Sequence, residues 1–206
     1  MKIVLIGPAA SGKGSQAHLL ETNFNLPHIS TGNIFRQIMH EDTPLGREVN
    51  KYMVAGQFVP NDIVIKVVAE HLSKPQFKDG FTLDGYPRTL VQAEELDKIA
   101  NIDMAILIDV PFDKTVERIT TRKICPKCGK TFSGLIYKSN VCDRCGTELV
   151  QRHDDNIETI TRRYADYTNL TFPVIEYYKK QHKLKVIKGD ASVDEVFNQI
   201  KQLIGK

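Results

Sequence analysis

The 206-residue chain is predicted to be an α/β protein, with a parallel sheet covered by helices on both faces. Three observations predict it. Short apolar, β-rich runs recur along the chain with helical patterns between them. The first run leads directly into a glycine-bounded loop that carries a lysine and opens a helix. Two further stretches lie between the runs, and a parallel sheet needs neither of them.

The first run is Lys2-Ile3-Val4-Leu5-Ile6, and the others are residues 80–83, 104–110 and 184–187, with a shorter candidate at 28–29. After the first comes Gly7-Pro8-Ala9-Ala10-Ser11-Gly12-Lys13-Gly14-Ser15, and residues 15–21 read as helix. Strand, loop and helix in this order make a phosphate cradle: backbone N–H groups converge on phosphate oxygens, and the helix N-terminus adds partial positive charge. Lys13 brings a full charge to the outer phosphates. The usual Ser or Thr after the lysine is Gly14 here, with Ser15 one place later. The chain is therefore expected to handle a nucleotide.

Its length suits one core domain with inserted lobes. A net charge of +3 from 28 basic and 25 acidic residues is too small to imply a nucleic-acid coat or a membrane surface. With no apolar signal region and no run long enough to span a bilayer, a soluble cytoplasmic protein is expected. Residues 31–73 carry apolar residues at helical spacing, broken by Pro44, Gly56 and Pro60, and read as a helical lobe. Residues 123–155 are rich in Cys, Gly, Ser, Asn and charge, with too few apolar residues to form a core unaided.

All four cysteines lie in that second stretch, as Cys125-Pro126-Lys127-Cys128 and Cys142-Asp143-Arg144-Cys145, each pair followed by glycine. Two such turns can present four thiolates tetrahedrally to zinc, leaving no open position, so the metal would be structural. Redox thiols or unliganded buried cysteines are the competing readings, and the sequence does not separate zinc from iron. Thirteen residues separate the pairs, and a short hairpin through 132–137 would bridge them. The run that begins at Phe81 ends in Asp84-Gly85-Tyr86-Pro87-Arg88, placing an acid at the carboxyl end of a strand, where open α/β sheets bind ligands. Asp84 is a candidate to hold magnesium through water. Arg36, Arg88, Arg118, Arg122, Arg152, Arg162 and Arg163 lie near the ends of expected elements, and their planar forks suit phosphate. Composition alone does not choose among them.

Together the motifs resemble the adenylate kinase family, in its bacterial long form with a metal-bearing lid. They are residues 7–15, Ser30-Thr31-Gly32-Asn33-Ile34-Phe35-Arg36, Asp84 to Thr89 with Gln92, and Arg152-His153-Asp154-Asp155. The resemblance implies a P-loop nucleoside monophosphate kinase with a five-stranded parallel core (1–30, 74–122 and 156–206). It also implies an AMP-binding lobe (31–73) and a zinc-ribbon lid (123–155). Its reaction is Mg·ATP plus AMP giving two ADP. It further implies an AMP site of Thr31, Arg36, Gly85, Arg88 and Gln92, with Gln57 and Val59 near the adenine. Thr31 and Gln92 would face the base. The ATP site would be Gly7, Ala10, Ser11, Gly12, Lys13, Gly14 and Ser15, with Arg118 beside the adenine. Arg122, Arg152 and Arg163 would surround the phosphates, and Asp154 and Asp155 would link the lid to these arginines. Lys13, Asp84, Arg88, Arg122, Arg152 and Arg163 would carry the transfer.

Three positions depart from the pattern. Ala10 stands where glycine is usual, so its methyl must point away from the phosphates or tighten the loop. Asn33 replaces an aspartate expected near the magnesium waters, predicting weaker magnesium use. Asn61 stands where aspartate is frequent, with little consequence expected. A kinase preferring UMP or CMP is the nearest alternative, against which Thr31, Gln92 and the large lid speak. A nucleic-acid-binding zinc-ribbon ATPase is a more distant one, and the basic lid lacks the aromatic series that base stacking needs. A monomer, with no nucleic-acid or membrane partner, is expected.

Overall fold

The computed structural model describes residues 1–152 and 154–205; His153, in the last of the four motifs, lies outside the described residues. The chain opens with β1 (Lys2–Ile6), α1 (Lys13–Phe24) and β2 (His28–Ser30), followed by three helices, α2 (Thr31–Ile38), α3 (Pro44–Val54) and α4 (Asn61–Leu72). Next come β3 (Phe81–Asp84), α5 (Leu90–Ile99), β4 (Met104–Asp109) and α6 (Phe112–Thr121). Two short strands, β5 (Arg122–Ile124) and β6 (Thr131–Ser133), precede α7 (Ile157–Asp166), α8 (Phe172–Lys180), β7 (Leu184–Lys188) and α9 (Val193–Leu203). A π-helical turn, Tyr167–Thr171, joins α7 to α8.

Five strands form one parallel sheet in the order β2-β3-β1-β4-β7. Both faces are buried, which is why β1 and β4 read as continuous apolar runs. Val4, Ile6, Ala105 and Leu107 face α5 and α8 through Leu96, Val174 and Tyr178, while Ile3, Leu5, Ile106 and Ile108 face α1 and α9 through Leu20, Phe197 and Ile200. The register pairs Asp84 with both Leu5 and Ser30. The carboxyl ends of β1, β2 and β3 therefore lie side by side. From β1 the chain crosses toward β2, and from β4 toward β7, so the crevice at these ends is the switch point where such sheets bind ligands.

Local chemistry sets the helix boundaries. Thr43 caps α3 by accepting from Gly46 N–H, with Pro44 at the first position. Thr89 caps α5 in the same way, and Ser192 with Glu195 forms a capping box on α9. Of the three expected helix breakers, Pro44 opens α3, and Gly56 and Pro60 lie between α3 and α4. The strand expected at 80–83 runs one residue later, to Asp84, and the one at 28–29 extends to Ser30.

In the cysteine-rich stretch, β5 and β6 pair antiparallel, with isolated bridges Ile124–Val150 and Val141–Glu148. The hairpin expected through 132–137 stops at Ser133, because the chain then turns and Tyr137 N–H returns to the Ser133 carbonyl at 2.8 Å. The core here is small: Cys125, Phe132, Cys142 and Leu149 are its buried members among the described residues.

Candidate active site

The loop after β1 contains a position that no side chain can occupy. A Cβ on Gly7 would come within 2.7 Å of both the Ile108 carbonyl oxygen and Ser11 Oγ. Ala10, by contrast, has φ of 60°, the left-handed conformation, at a cost of about 1–2 kcal/mol for a residue with a Cβ. The consequence of the missing glycine is thus backbone strain. Gly12 is the N-cap of α1, and Lys13 folds back across the loop. Its Nζ donates to the carbonyls of Gly7 (2.9 Å) and Pro8 (2.7 Å) and to Ser11 Oγ (3.2 Å). Burial lowers the Lys13 pKa to about 8, against the opposing charge of Asp84.

Asp84 is 16% exposed at the end of β3. Burial alone would raise its pKa, but the His28 imidazole 3.8 Å away and the charges of Lys13 and Arg88 outweigh burial and hold it below the usual carboxylate range. A Cβ on Gly14 would lie 3.4 Å from Asp84 Oδ2, so the carboxylate stands over the first turn of α1. An ionised carboxylate beside a phosphate-binding loop matches how magnesium is held, through one or two carboxylates, waters and substrate phosphates. The residues therefore fit the metal.

Arg88 is fixed at every backbone and side-chain end but one. Its N–H donates to Gln92 Oε1 (2.7 Å), its Nε to the Gly85 carbonyl (2.8 Å), and its own carbonyl accepts from Thr171 Oγ1 (3.0 Å). The guanidinium lies 5.0 Å from the centre of the Phe58 ring. Gly85, at φ 84°, must be glycine, since a Cβ would come within 2.7 Å of Thr31 Oγ1. Thr31 in turn donates to the Asp84 carbonyl at 3.3 Å. Arg36 donates to Asn33 Oδ1 at 2.6 Å. Burial, reinforced by neighbouring arginines, lowers the pKa of Arg36 and of Arg88 to about 10. Asn33, expected among the magnesium waters, has its carbonyl engaged by Arg36 and lies against the cysteine-rich stretch: a Cβ on Gly129 would be 3.1 Å from its amide nitrogen.

Three arginines converge from the other side on two aspartates. Arg122 from β5 makes a two-pronged contact with Asp155, whose side chain is fully buried. Arg152 donates to Asp154 at 2.9 and 2.5 Å, and Arg163 from α7 reaches the same carboxylate at 2.6 Å. Burial opposes ionisation of Asp154, but its hydrogen bonds and the charges of Arg152, Arg163 and Arg122 hold its pKa well below the usual range. Arg118 donates to the Gly189 carbonyl at 2.7 Å, which ties α6 to the loop after β7.

The four cysteine sulfurs lie within 4.8 Å of one another, with Cys125–Cys145 at 3.4 Å and Cys128–Cys142 at 3.6 Å. A tetrahedral zinc with bonds of about 2.3 Å would space its sulfurs by about 3.8 Å. The two halves are built alike. Cys128 N–H approaches Cys125 Sγ and Arg144 N–H approaches Cys142 Sγ, while Gly129 and Gly146 N–H groups close each turn onto the first cysteine's carbonyl. Backbone donors of this kind stabilise thiolate ligands, so the site fits a closed four-sulfur metal.

One cavity of about 850 Å³ collects Gly7, Ala10, Ser11, Gly12, Lys13, Gly14, Ser15, Thr31, Arg36, Gln57, Val59, Asp84, Gly85, Arg88, Gln92, Arg118, Arg122, Arg152 and Arg163. Of the seven arginines, only Arg162 is left out, and its Nη2 donates to the Ala55 carbonyl at 2.5 Å. The adenylate kinase family model matches residues 5–183. The chain belongs to the adenylate kinase family. It is 43% identical over 213 aligned positions to the adenylate kinase of Thermoanaerobacter sp. (strain X514), covering all of this chain and 98% of that protein. It is 42% identical to that of Clostridium perfringens (strain SM101 / Type A) and 43% identical to that of Alkaliphilus oremlandii (strain OhILAs), covering all of this chain and 99% of each. Its fold is that of the P-loop nucleoside monophosphate kinases, and its reaction is phosphoryl transfer between ATP and AMP. Among the described residues, no helix is long and apolar enough to cross a membrane.

Sequence reasoning missed the residues that hold this adenylate kinase site in shape. His28 has its Nε2 3.8 Å from Asp84 Oδ2, and Thr171 anchors Arg88 from the π-helical turn. Asn61, whose replacement of an aspartate was expected to have little consequence, accepts from Gln92 and Thr89. None of the three carries a local pattern that distinguishes it from a surface residue.

Proposed function

We infer that the chain binds AMP between α2 and α5, binds ATP over the loop at 7–15, and aligns the two for direct transfer of the γ-phosphoryl group. The observation that carries this reading is the convergence of the phosphate loop, Asp84 and six arginines on one cavity. Arg36 and Arg88 grip the acceptor phosphate. Lys13 and the loop N–H groups hold the donor phosphates, and Arg122, Arg152 and Arg163 meet the charge that spreads over the transferred group. Asp84 holds the hydrated magnesium, which neutralises phosphate charge and orients the donor when bound. No protein nucleophile is needed, because positioning and electrostatics supply the catalysis.

Residues 31–73 and 123–155 act as the two closing lobes that exclude water from the reacting phosphates. Cys125, Cys128, Cys142 and Cys145 would hold a zinc ion, which when bound would keep the second lobe rigid and supply folding energy that its few apolar side chains cannot. Phe132 is buried and packs on Tyr137 with ring centres 4.5 Å apart, so the lobe's aromatics serve packing, not base stacking. The test is ADP formation from Mg·ATP with AMP, UMP, CMP or GMP as acceptor, beside an Arg88→Ala variant. Turnover with AMP that the variant loses by a factor of about 100 or more is expected; efficient turnover with UMP or CMP would overturn the acceptor assignment.

A further inference from the structure

We propose that Asn61 is a positioning residue for acceptor specificity: it sets the Gln92 amide to read the edge of a 6-aminopurine and to refuse the reversed edge of a 6-oxopurine. This rests on the reading above in which Gln92 faces the acceptor base.

The argument starts from a backbone N–H. That of Arg88 can only donate, so the Gln92 atom 2.7 Å from it must be the carbonyl oxygen, Oε1. This turns Nε2 toward Asn61, where it lies 2.8 Å from Oδ1. A donor needs an acceptor opposite, which fixes the Asn61 amide in turn. The same Oδ1 accepts from Thr89 Oγ1 at 3.1 Å. Thr89 Oγ1 accepts the Gln92 N–H at 3.3 Å as cap of α5, leaving its own hydrogen free to go to Asn61. Two backbone N–H groups thus dictate every donor and acceptor in the cluster.

Gln92 is 3% exposed, so reversing its amide would bury two opposed donors, Nε2 and Arg88 N–H, and leave Asn61 Oδ1 without its Gln92 partner. With Oε1 and Nε2 each engaged once, the amide keeps one N–H and one oxygen lone pair, and Gln92 lines the cavity. Adenine presents an acceptor, N1, beside a donor, the 6-amino group, which complements that pair. Hypoxanthine has nearly the same shape but presents a donor at N1 and an acceptor at O6, so both contacts would be reversed. A site that fixes its hydrogen-bonding groups in this way discriminates strongly. Asn61 opens α4 while Thr89 and Gln92 begin α5, so the amide is set across two elements.

The experiment measures kcat/KM for AMP and for IMP at saturating Mg·ATP in wild type, Asn61→Leu, Asn61→Ala, Asn61→Asp and Gln92→Leu, with melting temperatures as a fold control. Both acceptor-deleting variants are expected to lower the AMP/IMP ratio by about tenfold or more, through a raised KM for AMP with the KM for ATP unchanged. Asn61→Asp keeps an acceptor and should retain the ratio. A wild-type ratio in Asn61→Leu and Asn61→Ala, or a loss in Asn61→Asp equal to theirs, overturns the proposal. In that case, a collapsed ratio in Gln92→Leu leaves the acceptor-site reading standing, whereas an unchanged one removes that reading as well.

Discussion

Replacing Asp154 with asparagine should destabilise the protein in a way that a polyphosphate anion reverses. Asp154 accepts two short hydrogen bonds from Arg152 (2.9 and 2.5 Å) and is ion-paired with Arg163 at 2.6 Å, with its side chain 18% exposed. Removing one partner of a buried ion pair costs about 3–5 kcal/mol, and the residual exposure places this one at the low end. Asparagine keeps one acceptor oxygen, so about 2 kcal/mol is expected to be lost. For a chain of this length that corresponds to a fall in Tm of about 4–8 °C. The assay is thermal unfolding of wild type and variant, with and without saturating inorganic triphosphate, whose oxygens can take up the freed arginines and narrow the gap. The pH dependence follows from the depressed pKa of Asp154. Its stabilisation is complete above the ordinary carboxylate pKa near 4 and is lost as pH falls through the lower folded value. The difference between wild type and variant should therefore be constant from pH 7 to 5 and shrink below about pH 4. A Tm difference under 1 °C at pH 7 would refute the ion-pair argument.

Other outcomes can be checked with the same protein. Chelating the metal should lower Tm and open residues 123–155 to protease while leaving turnover at low temperature nearly intact; an unchanged melting curve after verified metal removal would count against a structural metal. Asn33→Asp, expected from sequence to ease the magnesium requirement, should instead raise the KM for AMP several-fold, because the new carboxylate would face the Arg36 guanidinium that Asn33 now meets at 2.6 Å. Magnesium and AMP titrations of the variant distinguish the two. Ala10→Gly relieves a φ of 60°, but glycine adds freedom to the unfolded chain. The two effects nearly offset, leaving a gain of up to about 1 kcal/mol in denaturant unfolding.

Features whose chemistry is local were legible in the sequence. The phosphate loop is nine consecutive residues, the four-cysteine cluster is two short turns, and Asp84 stands at a strand end where parallel sheets bind ligands. The arginines were not legible, because their use depends on tertiary direction. Arg162 and Arg163 are adjacent on α7, yet a rotation of about 100° per residue separates them. Arg163 pairs with Asp154 and lines the cavity, whereas Arg162 donates to the Ala55 carbonyl. Motif resemblance picked out Arg163, and composition could not have done so. The contacts of Asn61 were not legible for a related reason. Its partners Thr89 and Gln92 lie 28 and 31 residues away, beyond the reach of any spacing argument.

The two sides of the cavity hold their arginines by different means, and the difference bears on how charge is distributed over the site. Arg88 is held by the Gly85 carbonyl and Arg36 by the Asn33 amide oxygen, both neutral acceptors. Among the described residues neither arginine is ion-paired to a carboxylate, and burial lowers each pKa only to about 10, so both remain protonated at pH 7. Arg122, Arg152 and Arg163 are instead held by the carboxylates of Asp154 and Asp155. If Arg36 and Arg88 form the acceptor side, as proposed above, a phosphate arriving there meets positive charge already oriented and need displace no anion. On the other side it must compete with a carboxylate for each fork, so binding there is weaker for the same number of contacts. The same carboxylates offset part of the mutual repulsion among the three packed arginines. Asn33 belongs to this division: an aspartate in its place would turn the acceptor-side arginine nearest the cysteine-rich stretch into a compensated one, and the asymmetry that favours early capture of the acceptor phosphate would diminish.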